Sequence, residues 1–129
     1  MIPYDVRTCA MSVMRPKYAL LIGPRDDGSL KDGCEKDCLA VERALDSITS
    51  GWNIVTCTGT AATKSNIEAA VDALVTAVNA APKVTTSDGA DLPPVVMILM
   101  SGHGTQVVGE LFVVPNCGPG GSALVCGRA

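Results

Sequence analysis

The sequence predicts an α/β fold built on a mainly parallel sheet with helices on both faces, and three observations carry that prediction. Short apolar runs rich in β-branched residues alternate along the chain with two segments of helical periodicity. The last of these runs, VVMILM (Val95 to Met100), is apolar at every residue, as expected of a central parallel strand covered on both faces. The order strand, helix, strand, helix, strand needs only right-handed crossovers to close into one layered domain.

KYALLIG (Lys17 to Gly23) reads as the first buried strand, ended by Gly-Pro and followed by the loop PRDDGSLKDG. From Cys34 the apolar positions Cys34, Cys38, Val41, Leu45 and Ile48 recur at spacings of four and three, the period of an amphipathic helix. GWNIVTC (Gly51 to Cys57) is short and rich in β-branched residues, and reads as the second strand. The next segment, ATKSNIEAAVDALVTAVNAA, predicts a second helix with Ile67, Val71, Leu74 and Val78 on one face. It offers two starts: Thr63 as N-cap, or Ser65 with Glu68 in a capping box. PKVTTSDGADLPP (Pro82 to Pro94) has no periodicity and is longer than most connections, so it reads as a mobile surface loop. After VVMILM, the segment TQVVGELFVVP carries two β-rich runs joined at Gly109-Glu110, with glycine at the first central position of a two-residue turn. There is no internal repeat.

A chain of 129 residues is the size of one domain. With 47% hydrophobic but only 3% aromatic residues, its core must be built from Val, Leu, Ile, Met and Ala. Ten basic against 13 acidic residues give a net charge of −3 and no basic cluster, which argues against a nucleic-acid partner. No apolar run is long enough to cross a bilayer, and the amino terminus lacks the pattern of a secretory leader. The expectation is a soluble cytoplasmic protein with no membrane partner, whose six cysteines (Cys9, Cys34, Cys38, Cys57, Cys117 and Cys126) are reduced. Their spacing does not match a zinc site, so no metal ligands are assigned.

In a parallel sheet functional groups gather beyond the carboxyl ends of the strands, and Ser101-Gly102-His103-Gly104 falls at that edge of the third strand. His103 is the chain's one histidine. Flanking glycines allow a tight turn and a close approach of substrate, and imidazole exchanges a proton near neutral pH. The bland alternative is a Gly-rich turn whose histidine merely ends the strand.

KYALLIG, LKDGCEKD, GWNIVTCTGTAATKSNI and VVMILMSGHGTQVVGELFVVP occur in an order and spacing that resembles the caspase-like cysteine peptidases, and look closest to the metacaspases. The resemblance covers about residues 17–115, leaving 1–16 as an amino-terminal extension and 116–129 as an irregular Gly/Pro-rich tail. It implies a three-layer caspase-like α/β fold that lacks its carboxyl-terminal strands here. It implies an endopeptidase that cleaves after Arg or Lys through a Cys/His dyad, with His103 as the catalytic histidine. By the same resemblance Cys34, Asp37 and Ser101 are substrate-binding and help to form the pocket for the basic side chain. A carboxylate in such a pocket pairs with guanidinium or ammonium. For Asp37 the plainer reading is a solvated carboxylate in the first turns of a helix.

The chain departs from the family at its nucleophile. In the family that cysteine lies in a D-x-C-x-S-G-like segment, and in caspases the histidine precedes it by about 50 residues. Only 26 residues follow His103 (129 minus 103). Cys126, in GSALVCGRA, and Cys117, in PNCGPGG, lack that context and read as tail cysteines. Some metacaspases bind calcium through an acidic cluster that these residues do not supply, so no cofactor is assigned. The expectation is therefore a metacaspase-like domain with the histidine half of its dyad, acting on peptides with a basic residue. The alternative is a catalytically inactive caspase-like module that associates with itself or another such chain through a sheet edge.

Overall fold

The structure, a computed structural model, describes residues 15–25, 32–48 and 51–102 with their side chains, and the backbone of 104–107, 110–113 and 124–128. Its elements are β1 (Lys17–Pro24), α1 (Gly33–Ile48), β2 (Trp52–Gly59), α2 (Lys64–Ala80), β3 (Val84–Thr85), β4 (Asp91–Leu92), β5 (Val95–Met100), β6 (Gly104–Val107), β7 (Glu110–Val113) and β8 (Leu124–Arg128). The chain is thus α/β, with a parallel three-stranded sheet in the order β2-β1-β5.

This order corrects one expectation. Among the described residues the central strand is β1, and β5, apolar at every residue, stands at an edge with Val96 43% and Ile98 50% exposed. An apolar run shows that a strand tolerates burial on both faces, but strand order is set by the crossovers. The step from β1 to β2 and the return past β1 to β5 run in opposite directions across the sheet. With crossovers of one hand, that reversal places α1 and α2 on opposite faces.

The packing shows both faces. Alternate residues of β1 point opposite ways. Ala19 and Leu21 join Cys38 and Leu45 of α1, with Trp52, Ile54, Met97 and Leu99 around them. Leu20 and Ile22 join Cys57, Ala62 and Ile67, with Val71, Leu74 and Met100 around them. Each of Ala19, Leu20, Leu21 and Ile22 is at most 1% exposed, so β1 belongs to two cores at once.

Thr63 is the N-cap of α2: it has extended backbone and its Oγ1 accepts from the Asn66 amide at 3.3 Å. The Asn66 side chain donates in turn to Ala61 O at 2.8 Å. Of the two starts open from the sequence, Thr63 is the one the backbone takes, and Ser65 already lies inside the helix.

Two further segments differ from expectation. The stretch 82–94 contains the antiparallel pair β3 and β4, with Val84 opposite Leu92 and Thr85 opposite Asp91. Its turn is closed by Thr86 N donating to Ala90 O at 2.8 Å, and Gly89 takes a φ of +87° that suits glycine. Polar side chains build this turn, since Thr86 Oγ1 donates to Asp88 at 2.6 Å and accepts from the Ala90 amide at 3.0 Å. The tail read as irregular carries β8, which pairs antiparallel with β7 and completes a second sheet in the order β6-β7-β8. The β6–β7 hairpin pairs Val107 with Glu110, so Glu110 is a strand residue and the connection is 108–109, one position earlier than expected. Those two residues, Gly109 among them, lie outside the described residues, as do Cys9 and Cys117. Among the described residues no helix is long and apolar enough to cross a membrane.

Candidate substrate pocket at the carboxyl edge of the sheet

β1 and β5 are neighbours at the point where the strand order reverses, and the crevice outside the carboxyl ends at such a point is the usual ligand position in an open α/β sheet. The first residue beyond β5 is Ser101, held in the ladder by its amide donating to Ile22 O at 2.9 Å. Beside it stands α1, which begins within ten residues of the end of β1 and brings Cys34 and Asp37 over the same crevice.

Helix and strand come unusually close here because β1 has a glycine at the contact. A Cβ placed on Gly23 would lie 2.5 Å from Cys34 O and 2.8 Å from Cys38 Sγ, closer than side-chain carbons come to such atoms. Glycine at this position lets the second turn of α1 reach the end of β5. The result is a hydrogen bond from Ser101 Oγ to Asp37 Oδ2 at 2.7 Å, between residues 64 apart in sequence.

Two of the three residues expected in the substrate pocket are therefore in direct contact. The Asp37 side chain is exposed, and one carboxylate oxygen is fixed by the hydroxyl while its remaining lone pairs face solvent. Cys34 lies one helical turn earlier but is only 3% exposed, so its side chain packs in the core and its carbonyl faces Gly23. His103, two residues beyond Ser101, lies outside the described residues.

A second set of contacts ties the crevice to β2, and these residues carry no motif. Arg25, just after β1, donates its Nε to Glu35 Oε1 at 2.9 Å, and its amide donates to Gly59 O at 3.3 Å. Gly59 has a φ of +65°, and the Glu35 carboxyl stands 3.2 Å from where a Cβ would be. Arg25, Glu35 and Gly59 thus join the ends of β1 and β2 to the first turn of α1. The one sequence signal for this clamp is the Gly-Pro-Arg that ends the first apolar run. On this flank a groove of about 320 Å³ is lined by Glu35, Cys38 and Glu42 of α1 and by Thr56 and Thr58 of β2, away from Asp37 and Ser101.

Cys34, Cys38 and Cys57 are free thiols, all buried. Burial, with Asp37 and Cys34 nearby, pushes the Cys38 thiol up to about 11, and burial alone pushes Cys57 up. A nucleophilic cysteine needs access and a lowered pKa. All three lack access, and Cys38 and Cys57 are shifted the opposite way. Cys126 lies on β8, where the pairing steps from Gly127 opposite Leu111 to Val125 opposite Phe112 and passes over Cys126. It belongs to the antiparallel sheet and does not extend the parallel one. Among the described residues no group of three or more His, Cys, Asp or Glu side chains is placed to hold a metal ion.

Comparison with protein-family models, with curated proteins and with solved structures finds no match.

Proposed function

We propose that this chain carries the basic-residue pocket and the catalytic histidine of a metacaspase-like cysteine endopeptidase, with Asp37 as the carboxylate that receives an Arg or Lys side chain. The observation that carries this reading is the Ser101–Asp37 hydrogen bond at the carboxyl edge of β1 and β5. Two sequence-distant features come together there: the serine that ends the apolar strand and precedes Gly-His-Gly, and the aspartate of G-C-x-x-D. Ser101 is a positioning residue, since its hydroxyl restricts the rotation of the Asp37 carboxylate. A guanidinium entering the crevice meets a carboxylate oriented in advance, which reduces the ordering cost of recognition. His103, two residues further along the sequence, serves as the group that moves the proton to the leaving amine. The nucleophile is assigned to none of Cys34, Cys38 and Cys57, because all three are buried.

The test is binding, followed by turnover. An acetyl-arginine amide titrated into labelled protein should shift the amide signals of residues 34–37 and 101–104, and its norleucine counterpart should not. Asp37→Asn should weaken the arginine ligand several-fold, in line with the ~0.2–1 kcal/mol typical of an exposed ion pair. Equal shifts with norleucine, or an unaltered affinity in Asp37→Asn, would remove Asp37 from the pocket. Hydrolysis of Arg- or Lys-containing peptides by the purified chain, lost in both His103→Ala and Cys126→Ala, would instead place the nucleophile on β8.

A further inference from the structure

The first two turns of α1 rest on the ends of three neighbouring strands. In the middle, the Cys34 carbonyl and the Cys38 sulfur meet Gly23 near the end of β1. To one side, the Glu35 carboxyl stands 3.2 Å from the Cβ position of Gly59, the last residue of β2. To the other side, Asp37 accepts from Ser101, the residue after β5, at 2.7 Å. The order β2-β1-β5 therefore sets Glu35 and Asp37 on opposite flanks of the helix, as does their separation of about 200° around its axis. With strands about 5 Å apart, the two outer contacts lie roughly 10 Å from one another, with Gly23 between them.

The middle contact does not stop the helix from rolling, because Gly23 has no side chain to lock between those of α1. A roll about that point moves Glu35 and Asp37 in opposite senses. Whatever holds Glu35 therefore also sets where Asp37 stands. Glu35 is held by Arg25, whose Nε donates to Oε1 at 2.9 Å, and the Arg25 amide is itself fixed on Gly59 O at 3.3 Å.

We propose that Glu35 and Arg25 are positioning residues for Asp37: their ion pair braces the flank of α1 over β2 and so keeps Asp37 against Ser101 on the flank over β5. The proposal rests on the reading of Asp37 as the carboxylate that receives an arginine side chain, and it adds the contact that sets that carboxylate's position. Neither residue touches the bound side chain. A first-turn glutamate also favours a helix through its dipole, whatever its partner. Replacing Arg25 separates the two roles, since it breaks the brace and leaves the Glu35 carboxylate in place.

The experiment reads the side-chain carboxyl carbon of Asp37 by NMR, together with the affinity for acetyl-arginine amide, in Arg25→Met, Glu35→Gln, the double variant and Arg25→Lys. Ser101→Ala marks the position of the carbon signal when the hydrogen bond is absent. Arg25→Met and Glu35→Gln should both move the signal toward that position and weaken the ligand by about two- to five-fold, the factor that an exposed ion pair supplies. The double variant should go no further than either single one, because both remove one interaction. Arg25→Lys keeps the ion pair and should restore most of the signal and the affinity. Urea midpoints show that each variant is folded. A direct effect of charge would move the signal in opposite directions, since one substitution removes a cation and the other an anion. Opposite movement overturns the proposal, as does an unmoved signal, an additive double variant or a lysine that restores nothing. A wild-type chain that binds no arginine ligand removes the pocket reading alone, and the brace on Asp37 is then decided by the carbon signal.

Discussion

Gly23 is where the helix carrying Asp37 comes closest to the sheet. A methyl group there would meet the Cys34 carbonyl at 2.5 Å and the Cys38 sulfur at 2.8 Å, one of them rigid helix backbone. The helix cannot yield without moving Asp37 away from Ser101. Gly23→Ala should therefore destabilise the fold by ~1–3 kcal/mol, the usual range for overpacking. Gly33→Ala supplies the contrast, since nothing lies within 4 Å of its Cβ position at the start of α1. It should be neutral or stabilising by up to about 1 kcal/mol, because alanine has the higher helix propensity. Urea midpoints of the two variants decide the matter: similar values would mean that the close approach at Gly23 has no energetic weight.

At the scale of elements, α2 shows how a side chain fixes a boundary. Thr63 Oγ1 accepts from the Asn66 amide, so Thr63→Ala should cost about 1 kcal/mol of stability. Ser65 lies within the helix, and Ser65→Ala should change stability by less than about 0.5 kcal/mol. Thermal melts that ranked the two variants in the opposite order would give the start of α2 to Ser65 and Glu68. Both starts were open in the sequence because Thr63 and Ser65 are both favoured cap residues, and only backbone geometry separates them. The same limit applies along the chain. β1, β2, β5 and the two helices were legible because their apolar periodicity is strong. The β3–β4 pair was not, since a ladder of two residues on each side leaves no period and its turn is built by Thr86 and Asp88. β8 was hidden by the Gly/Pro-rich stretch before it. At the candidate site, Asp37 and Ser101 could be named from G-C-x-x-D and S-G-H-G, and the structure brings them to 2.7 Å. The Arg25–Glu35–Gly59 clamp could not, because it joins three segments that share no motif.

Across the whole molecule, one central strand serves two cores, and each core holds a buried thiol. Cys38 lies in the cluster on the α1 face and Cys57 in the cluster on the α2 face. Burial raises the Cys38 thiol from 9.0 to about 11 and raises Cys57 in the same direction. An unfolded chain releases these protons near its ordinary thiol value, while the folded chain retains them. Between pH 9 and about 11 the unfolded state therefore binds fewer protons, and stability falls as pH rises. Their contribution is complete below pH 9 and is lost as pH climbs toward the folded value, by at most about 1.4 kcal/mol per pH unit for each thiol. The loss should be global, since neither face can open without releasing β1, which the other face also needs. The measurement is the urea midpoint at intervals from pH 7 to 10.5, for the wild type and for a variant carrying both Cys38→Ala and Cys57→Ala. The variant starts less stable because two small cavities replace the sulfurs. Tyrosine and lysine titrations are common to both proteins and cancel in the comparison, so the gap between them should stay constant up to about pH 9 and narrow above it. A gap that is constant over the whole range would show that the thiols ionise alike in the folded and unfolded chains, and that neither core excludes water from its sulfur.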